Sequence, residues 1–457
     1  MNDHIDSLRH FYNSKYYPIL VALLIFLGHA TGFEILFGAA VFLTVIPALM
    51  ICHDLRFAIL PFLCIIFTVS VKDYTPSDPG YADRYLNAPT IISIAVVLIL
   101  FLVALVCFIV RNRKMANAFP KKGMFWSMLI FCAAAVLNGL FSADYTFKNI
   151  LYTFALIASL LAVYALFVLF VQFDRSSFDY FMYCLVISGL LIVAELIFAF
   201  FTTVQFENGQ IVKGSVVLGW GVWTNIGGML SMLMPACFYF AYSHKRGWIG
   251  FLLGMVEYAC IILSQSRGAL LVGTLILALC LVYLCLRGEN RKLNRIFTLG
   301  IAVCGVVGVI LFSGKLIALV QNFMELGFAD NGRFEMWSIG FENFLENPVF
   351  GSGFYDSYQT EEWDMGAYPY LYHNTVIQLL GATGLVGTLA YAYHRFRTVQ
   401  LTVTKPNYRK TFLATCILAL LLFSLTDVLF FKTYPTIYYA LMLLFMEQSG
   451  EETTGFM

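Results

Sequence analysis

His373 stands between Tyr372 and Asn374 at the head of a hydrophobic run. It follows a long polar stretch holding Gly332-Arg333 and lies downstream of the turn Ser264-Gln265-Ser266-Arg267-Gly268. A neutral imidazole there can take a proton near neutral pH. Two guanidinium groups can grip a diphosphate through paired, charge-assisted hydrogen bonds, and Ser264 and Ser266 would add hydroxyls to the same ligand. Each also has a plainer reading: an interfacial histidine capping a helix, or an arginine snorkelling from a helix end.

The elements that must hold these residues are set by composition. The chain has 457 residues, 60% of them hydrophobic, 17% aromatic and only 12% charged, with a mean hydropathy of +0.80. A soluble domain is excluded, because its charged fraction would be about 25%. Runs such as 91–110 and 270–286 are apolar all round, as helices in lipid must be. The net charge of +1 says nothing about partners; the lipid bilayer is the partner composition implies, and no nucleic acid is expected. The eleven cysteines fall in or beside apolar runs and read as small buried residues, not as disulfides or metal ligands. The first apolar run lacks a cleavage site behind it and is expected to be kept as a span.

The expected fold is an all-α polytopic integral membrane protein of about 12–14 transmembrane helices, with a large extracytoplasmic loop containing short amphipathic helices. Fourteen candidate spans cover 16–31, 34–52, 56–71, 90–110, 124–142, 150–172, 181–203, 222–243, 248–263, 268–286, 297–313, 374–394, 411–429 and 435–447. With both termini inside, only Lys72, Arg84, Lys148, Lys213, Arg267, Lys315, Arg333 and Lys432 of the 28 lysines and arginines face outward, as the positive-inside rule asks. His29 and His373 are then the outer histidines. Four regions follow: N-terminal transmembrane helices over 1–221, helices bearing the Ser-Gln-Ser-Arg-Gly turn over 222–313, the large loop over 314–372, and C-terminal helices over 373–457. Inside the loop, Asp330-Asn331-Gly332 offers an N-cap. Phe334, Trp337, Phe341, Phe344 and Leu345 then recur at helical spacing, with Arg333 at the edge of that stripe and Asn347-Pro348 ending it.

Three carboxylates lie within apolar runs: Glu195, Glu257 and Asp427. Glu195 and Glu257 are expected to pair with a tyrosine or amide across the bundle. Asp427 and Asn374, nearer the outer end, would support the site. Glu361-Glu362-Trp363-Asp364 reads as hydrated acids, and no cysteine or histidine spacing suits zinc, so neither metal nor cofactor is expected.

Four motifs in order, Ser264-Gln265-Ser266-Arg267-Gly268-Ala269, Gly332-Arg333-Phe334-Glu335-Met336-Trp337, Asn347-Pro348-Val349-Phe350-Gly351-Ser352-Gly353 and His373-Asn374 ahead of Gly381-Ala382-Thr383-Gly384-Leu385-Val386-Gly387, resemble the O-antigen ligase and O-antigen polymerase superfamily. The likeness covers about 220–390. It implies a bacterial cytoplasmic-membrane glycosyltransferase, similar in outline to the GT-C class, with its active site facing outside. The donor would be a polyprenyl-diphosphate-linked oligosaccharide and the acceptor a saccharide of an O-antigen, capsule, exopolysaccharide or teichuronic-acid-like glycan. Transfer would be inverting and metal-independent, with His373 as base and Arg267 and Arg333 on the diphosphate. Polymerase and ligase share this chemistry and are not separated here, and the sequence does not fix an oligomeric state. A transporter or flippase for lipid-linked sugars, built on Glu195, Glu257 and Asp427, is the rival reading, and a structural scaffold the third.

Overall fold

The structure, a computed structural model, describes residues 2–70, 87–120, 123–142, 147–207, 209–288, 291–311, 333–354 and 372–449. Its helices are α1 Asn2–Tyr12, α2 Tyr16–Thr31, α3 Glu34–Ile51, α4 Ile59–Leu63, α5 Ala88–Asn112 and α6 Met124–Val136. Next, α7 runs from Phe147–Ile157 through a π turn, Ala158–Ala162, into Val163–Phe170, and α8 is Arg175–Thr202. The second half holds α9 Trp223–Ser243, α10 Gly247–Leu263, α11 Arg267–Arg287, α12 Arg291–Leu311, α13 Arg333–Glu346, α14 Thr375–Val403, α15 Tyr408–Phe423 and α16 Thr433–Gln448. Between α8 and α9 lie two small antiparallel hairpins, β1 Phe206–Glu207 with β2 Gln210–Ile211, and β3 Val217–Leu218 with β4 Gly221–Val222.

The protein is a multi-pass, all-helical membrane protein. Among the described residues seven helices are long and apolar enough to cross a bilayer, and α1 with α2, bent by 67°, makes up to eight. Several remaining candidates are shorter: α15 and α16 have 16 residues each, which at about 1.5 Å per residue falls short of a hydrocarbon core. Among the seven long apolar helices α9 is the most enclosed, with 83% of its apolar window buried, and it packs between α10, α11 and α15. Large exposed side chains on α5, such as Ile92, Val103 and Val110, mark a face suited to lipid.

One expectation changes. The span expected over 56–71 is broken into a 3-10 turn Leu55–Ala58, α4, and a second 3-10 turn Ile65–Val69. Pro61 brings no backbone donor to this stretch, and Phe57, Leu60, Leu63 and Phe67 are wholly buried. Irregular backbone at membrane depth is tolerated where protein surrounds it. On α13 the face packed on the protein is Ile339 and Gly340, with Met336, against Tyr372 and Ile377; Phe334, Phe341 and Leu345 of the expected stripe are exposed. An apolar outward face suits a helix lying at a membrane surface.

Within α14 the helix breaks at Gly384, whose φ of 59° and ψ of −159° are open to glycine and strained for other residues. The break frees backbone groups that the segment before it, Asn347 to Gly353, takes up. Leu385 and Val386 N–H donate to the Pro348 and Val349 carbonyls at 2.9 and 3.1 Å, while Ser352 and Gly353 N–H donate to Gly381 and Ala382 at 2.8 and 3.0 Å. Two of the sequence motifs are therefore halves of one backbone junction. That junction seats α13 against the first half of α14, which begins just after His373.

Candidate active site

The turn bearing Arg267 is built by its serines. Ser264 Oγ donates to Ile261 O at 2.7 Å and accepts Ser266 N–H at 3.4 Å. Ser266 caps α11 by accepting Ala269 N–H at 3.3 Å, and Gln265 takes the left-handed backbone, φ 58°, that reverses the chain. Both serines are buried, and their hydroxyls form the turn. Arg267 emerges exposed as the first residue of α11. A Cβ on Gly268 would stand 2.6 Å from Thr426 Oγ1, so this turn abuts the α15–α16 connection, where Asp427 lies.

The same connection binds the start of α14. Asn374 caps that helix by accepting Val376 N–H at 2.8 Å and donates to Leu425 O at 3.2 Å. Thr375 donates to Ser424 O through N–H and Oγ at 2.9 and 2.7 Å. Held between these contacts, His373 adopts a left-handed φ of 51°, an uncommon conformation of the kind that clusters at functional sites. Its Nδ1 donates to Asp427 Oδ1 at 3.2 Å; the imidazole side chain is 35% exposed and the carboxylate 4%. The bond commits Nδ1 and leaves Nε2 for a substrate.

Burial by itself would raise the Asp427 carboxyl. The charge of Lys432, the bond and charge of His373, and a hydrogen bond from Thr224 outweigh it and hold the group well below the usual carboxylate range. Asp427 is therefore a fixed negative charge behind the imidazole. Lys432 Nζ also donates to Asn225 Oδ1 at 2.6 Å, which fastens the α15–α16 connection to the first turn of α9.

Arg333 opens α13, half-buried. The Lys213 amine is pushed below its ordinary range by burial first, then by the charges of Arg267 and Arg333. The sequence reading counted Lys213 and Lys432 only as outward cations and assigned them nothing. A signal for Lys213 was present ten residues downstream, since its Nζ lies 5.3 Å from the ring centroid of Trp223. The proposed cap at 330–332 and the acids Glu361, Glu362 and Asp364 lie outside the described residues.

Glu195, Glu257 and His29 are held inside the bundle. Glu195 accepts from Trp220 Nε1 at 2.8 Å and Ser70 Oγ at 3.3 Å, not from a tyrosine or amide, and Ser70 Oγ meets His29 Nδ1 at 2.8 Å. His29 is thus fully buried in a polar chain instead of standing at the surface. Glu257 accepts from Cys237 Sγ at 3.3 Å. Among the described residues no group of three or more His, Cys, Asp or Glu is placed to hold a metal ion.

Comparison with curated proteins gives no match. Comparison with protein families gives one: residues 249–392, which run from α10 to the middle of α14 and include Arg267, Arg333 and His373, match the family described as O-antigen ligase. Residues 249–392 of this polytopic helical chain thus carry a domain of the O-antigen ligase family, which supports a glycan-ligating or glycan-polymerising enzyme.

Proposed function

We propose that the protein transfers a glycan from a polyprenyl diphosphate to a saccharide hydroxyl, with inversion and without a metal, at the outer face of the bacterial cytoplasmic membrane. The observation carrying this reading is the His373–Asp427 pair beside the turn that presents Arg267. The acceptor O–H gives its proton to His373 Nε2 as its oxygen attacks the anomeric carbon. The bond from that carbon to the diphosphate oxygen breaks, and its electron pair leaves with the diphosphate. Asp427 stabilises the imidazolium that forms. Arg267 and Arg333 take the growing negative charge, as fixed donors do best where water is sparse.

The outward placement of the site rests on the distribution of lysines and arginines. The transporter reading finds less support, because Glu195 and Glu257 are bonded inside the bundle and Asp427 belongs to the histidine.

The test is to incubate purified protein with a polyprenyl-diphosphate oligosaccharide and a saccharide acceptor and to follow release of free polyprenyl diphosphate. Release that persists in His373→Ala at the parent rate would defeat the mechanism. Sidedness is checked with cysteines introduced at Glu362 and Asn290, the first labelling from outside and the second only after permeabilisation.

A further inference from the structure

His373 lies between a helix cap and a buried tyrosine. Asn374 caps α14 on one side; on the other, Tyr372 is 1% exposed and fixed through two bonds. Its backbone N–H donates to Gln378 Oε1 at 2.9 Å, and its hydroxyl accepts from Asn343 Nδ2 of α13 at 2.6 Å. Gln378, fully buried near the start of α14, therefore reaches back past the cap much as the amide of a capping box does. A Cβ at Gly340 of α13 would stand 3.0 Å from the Tyr372 ring, and one at Gly381 of α14 would stand 2.9 Å from it. These two glycines leave the slot that the ring fills between the helices.

The left-handed φ of 51° at His373 is disfavoured for a residue with a side chain, so its neighbours must impose it. Gln378 holds the chain before the bend, and Asn374, bonded to Leu425 O, holds it after. That bend aims the imidazole at Asp427. The tyrosine that leads into it is also tied to α13, the helix that opens with Arg333. We propose that Gln378 and Tyr372 are positioning residues for transfer: Gln378 holds the strained backbone of His373, and Tyr372, through Asn343, keeps that backbone in register with the helix carrying Arg333. The proposal rests on the reading of His373 as base given under Proposed function. Without either bond the imidazole is free to leave Asp427 while the donor's ligands stay in place.

Single-turnover transfer from a polyprenyl-diphosphate oligosaccharide, measured beside farnesyl diphosphate binding to the same purified full-length protein, tests it. Gln378→Leu should lower the rate about tenfold or more with farnesyl diphosphate affinity within about twofold of the parent, because a misplaced base slows the chemical step alone. Gln378→Glu, whose carboxyl oxygen still accepts the N–H, should restore most of the rate. Tyr372→Phe keeps the ring in its slot and so survives a folding failure in the leucine variant. It should lower the rate about threefold or more, and Asn343→Leu added to it should cost little further, since both remove one bond. In a His373→Ala background, Gln378→Leu should change the residual rate by less than about twofold. An undiminished loss there would make the glutamine a residue of the fold only and overturn the proposal. Parent rates in Gln378→Leu and Tyr372→Phe, with transfer impaired in His373→Ala, would overturn the positioning roles and leave the base standing. A parent rate in His373→Ala would overturn both.

Discussion

His373 and Asp427 are 54 residues apart in the chain and 3.2 Å apart across the site, where the carboxylate fixes the imidazole by its Nδ1. If His373 is the base, His373→Ala should lower transfer by about a hundredfold or more while donor binding persists through the arginines. Asp427→Asn keeps the imidazole but loses the charge behind it, and should lower the rate by roughly tenfold or more. Single-turnover rates beside donor binding check both. The control histidine should be exposed His10, because buried His29 is hydrogen-bonded to Ser70 and its replacement would disturb packing.

The Asp427 carboxyl is depressed in the folded protein, so its stabilising contribution is present above the ordinary carboxylate value and is lost as pH falls through the folded one. The difference in melting temperature between parent and Asp427→Asn should therefore stay level from about pH 5 to 8 and shrink only below about pH 4. A difference that closes already near neutrality would mean that the carboxylate is not the held anion described here.

Arg267→Lys and Arg333→Lys keep the charge but lose the fork geometry. Each should lower kcat/KM by about tenfold or more, with normal protein levels in membranes. Near-full activity in both variants would make these arginines interfacial anchors.

Turnover should survive a strong chelator, since arginines supply the positive charge in the proposed mechanism. Activity lost on chelation and restored by magnesium or manganese would move the catalytic role toward Glu362 and Asp364.

Gly384→Ala tests the junction inside α14. A Cβ there would lie 2.5 Å from the Val349 carbonyl carbon, at a positive φ that itself costs about 1–3 kcal/mol in other residues. The variant should melt lower and lose transfer without touching the donor ligands. A parent-like melting curve would show that the break does not depend on this glycine.

The sequence by itself determined the environment and the candidate site residues. Composition and apolar runs required a helical membrane protein, because lipid leaves a spanning backbone no other partners, and the charged or polar residues outside those runs were few enough to single out Arg267, Arg333 and His373. Tertiary structure decided the relationships between elements far apart in the chain. It joined Asp427 to His373 across 54 residues of chain. It also turned Ser264 and Ser266 inward, since a short reversal between two helices leaves backbone donors and acceptors that the nearest hydroxyls satisfy. Periodicity reports only which face of a helix is apolar. Whether that face meets lipid, as at Phe334 and Leu345, or protein, as at Ile339, depends on neighbours that local sequence does not name.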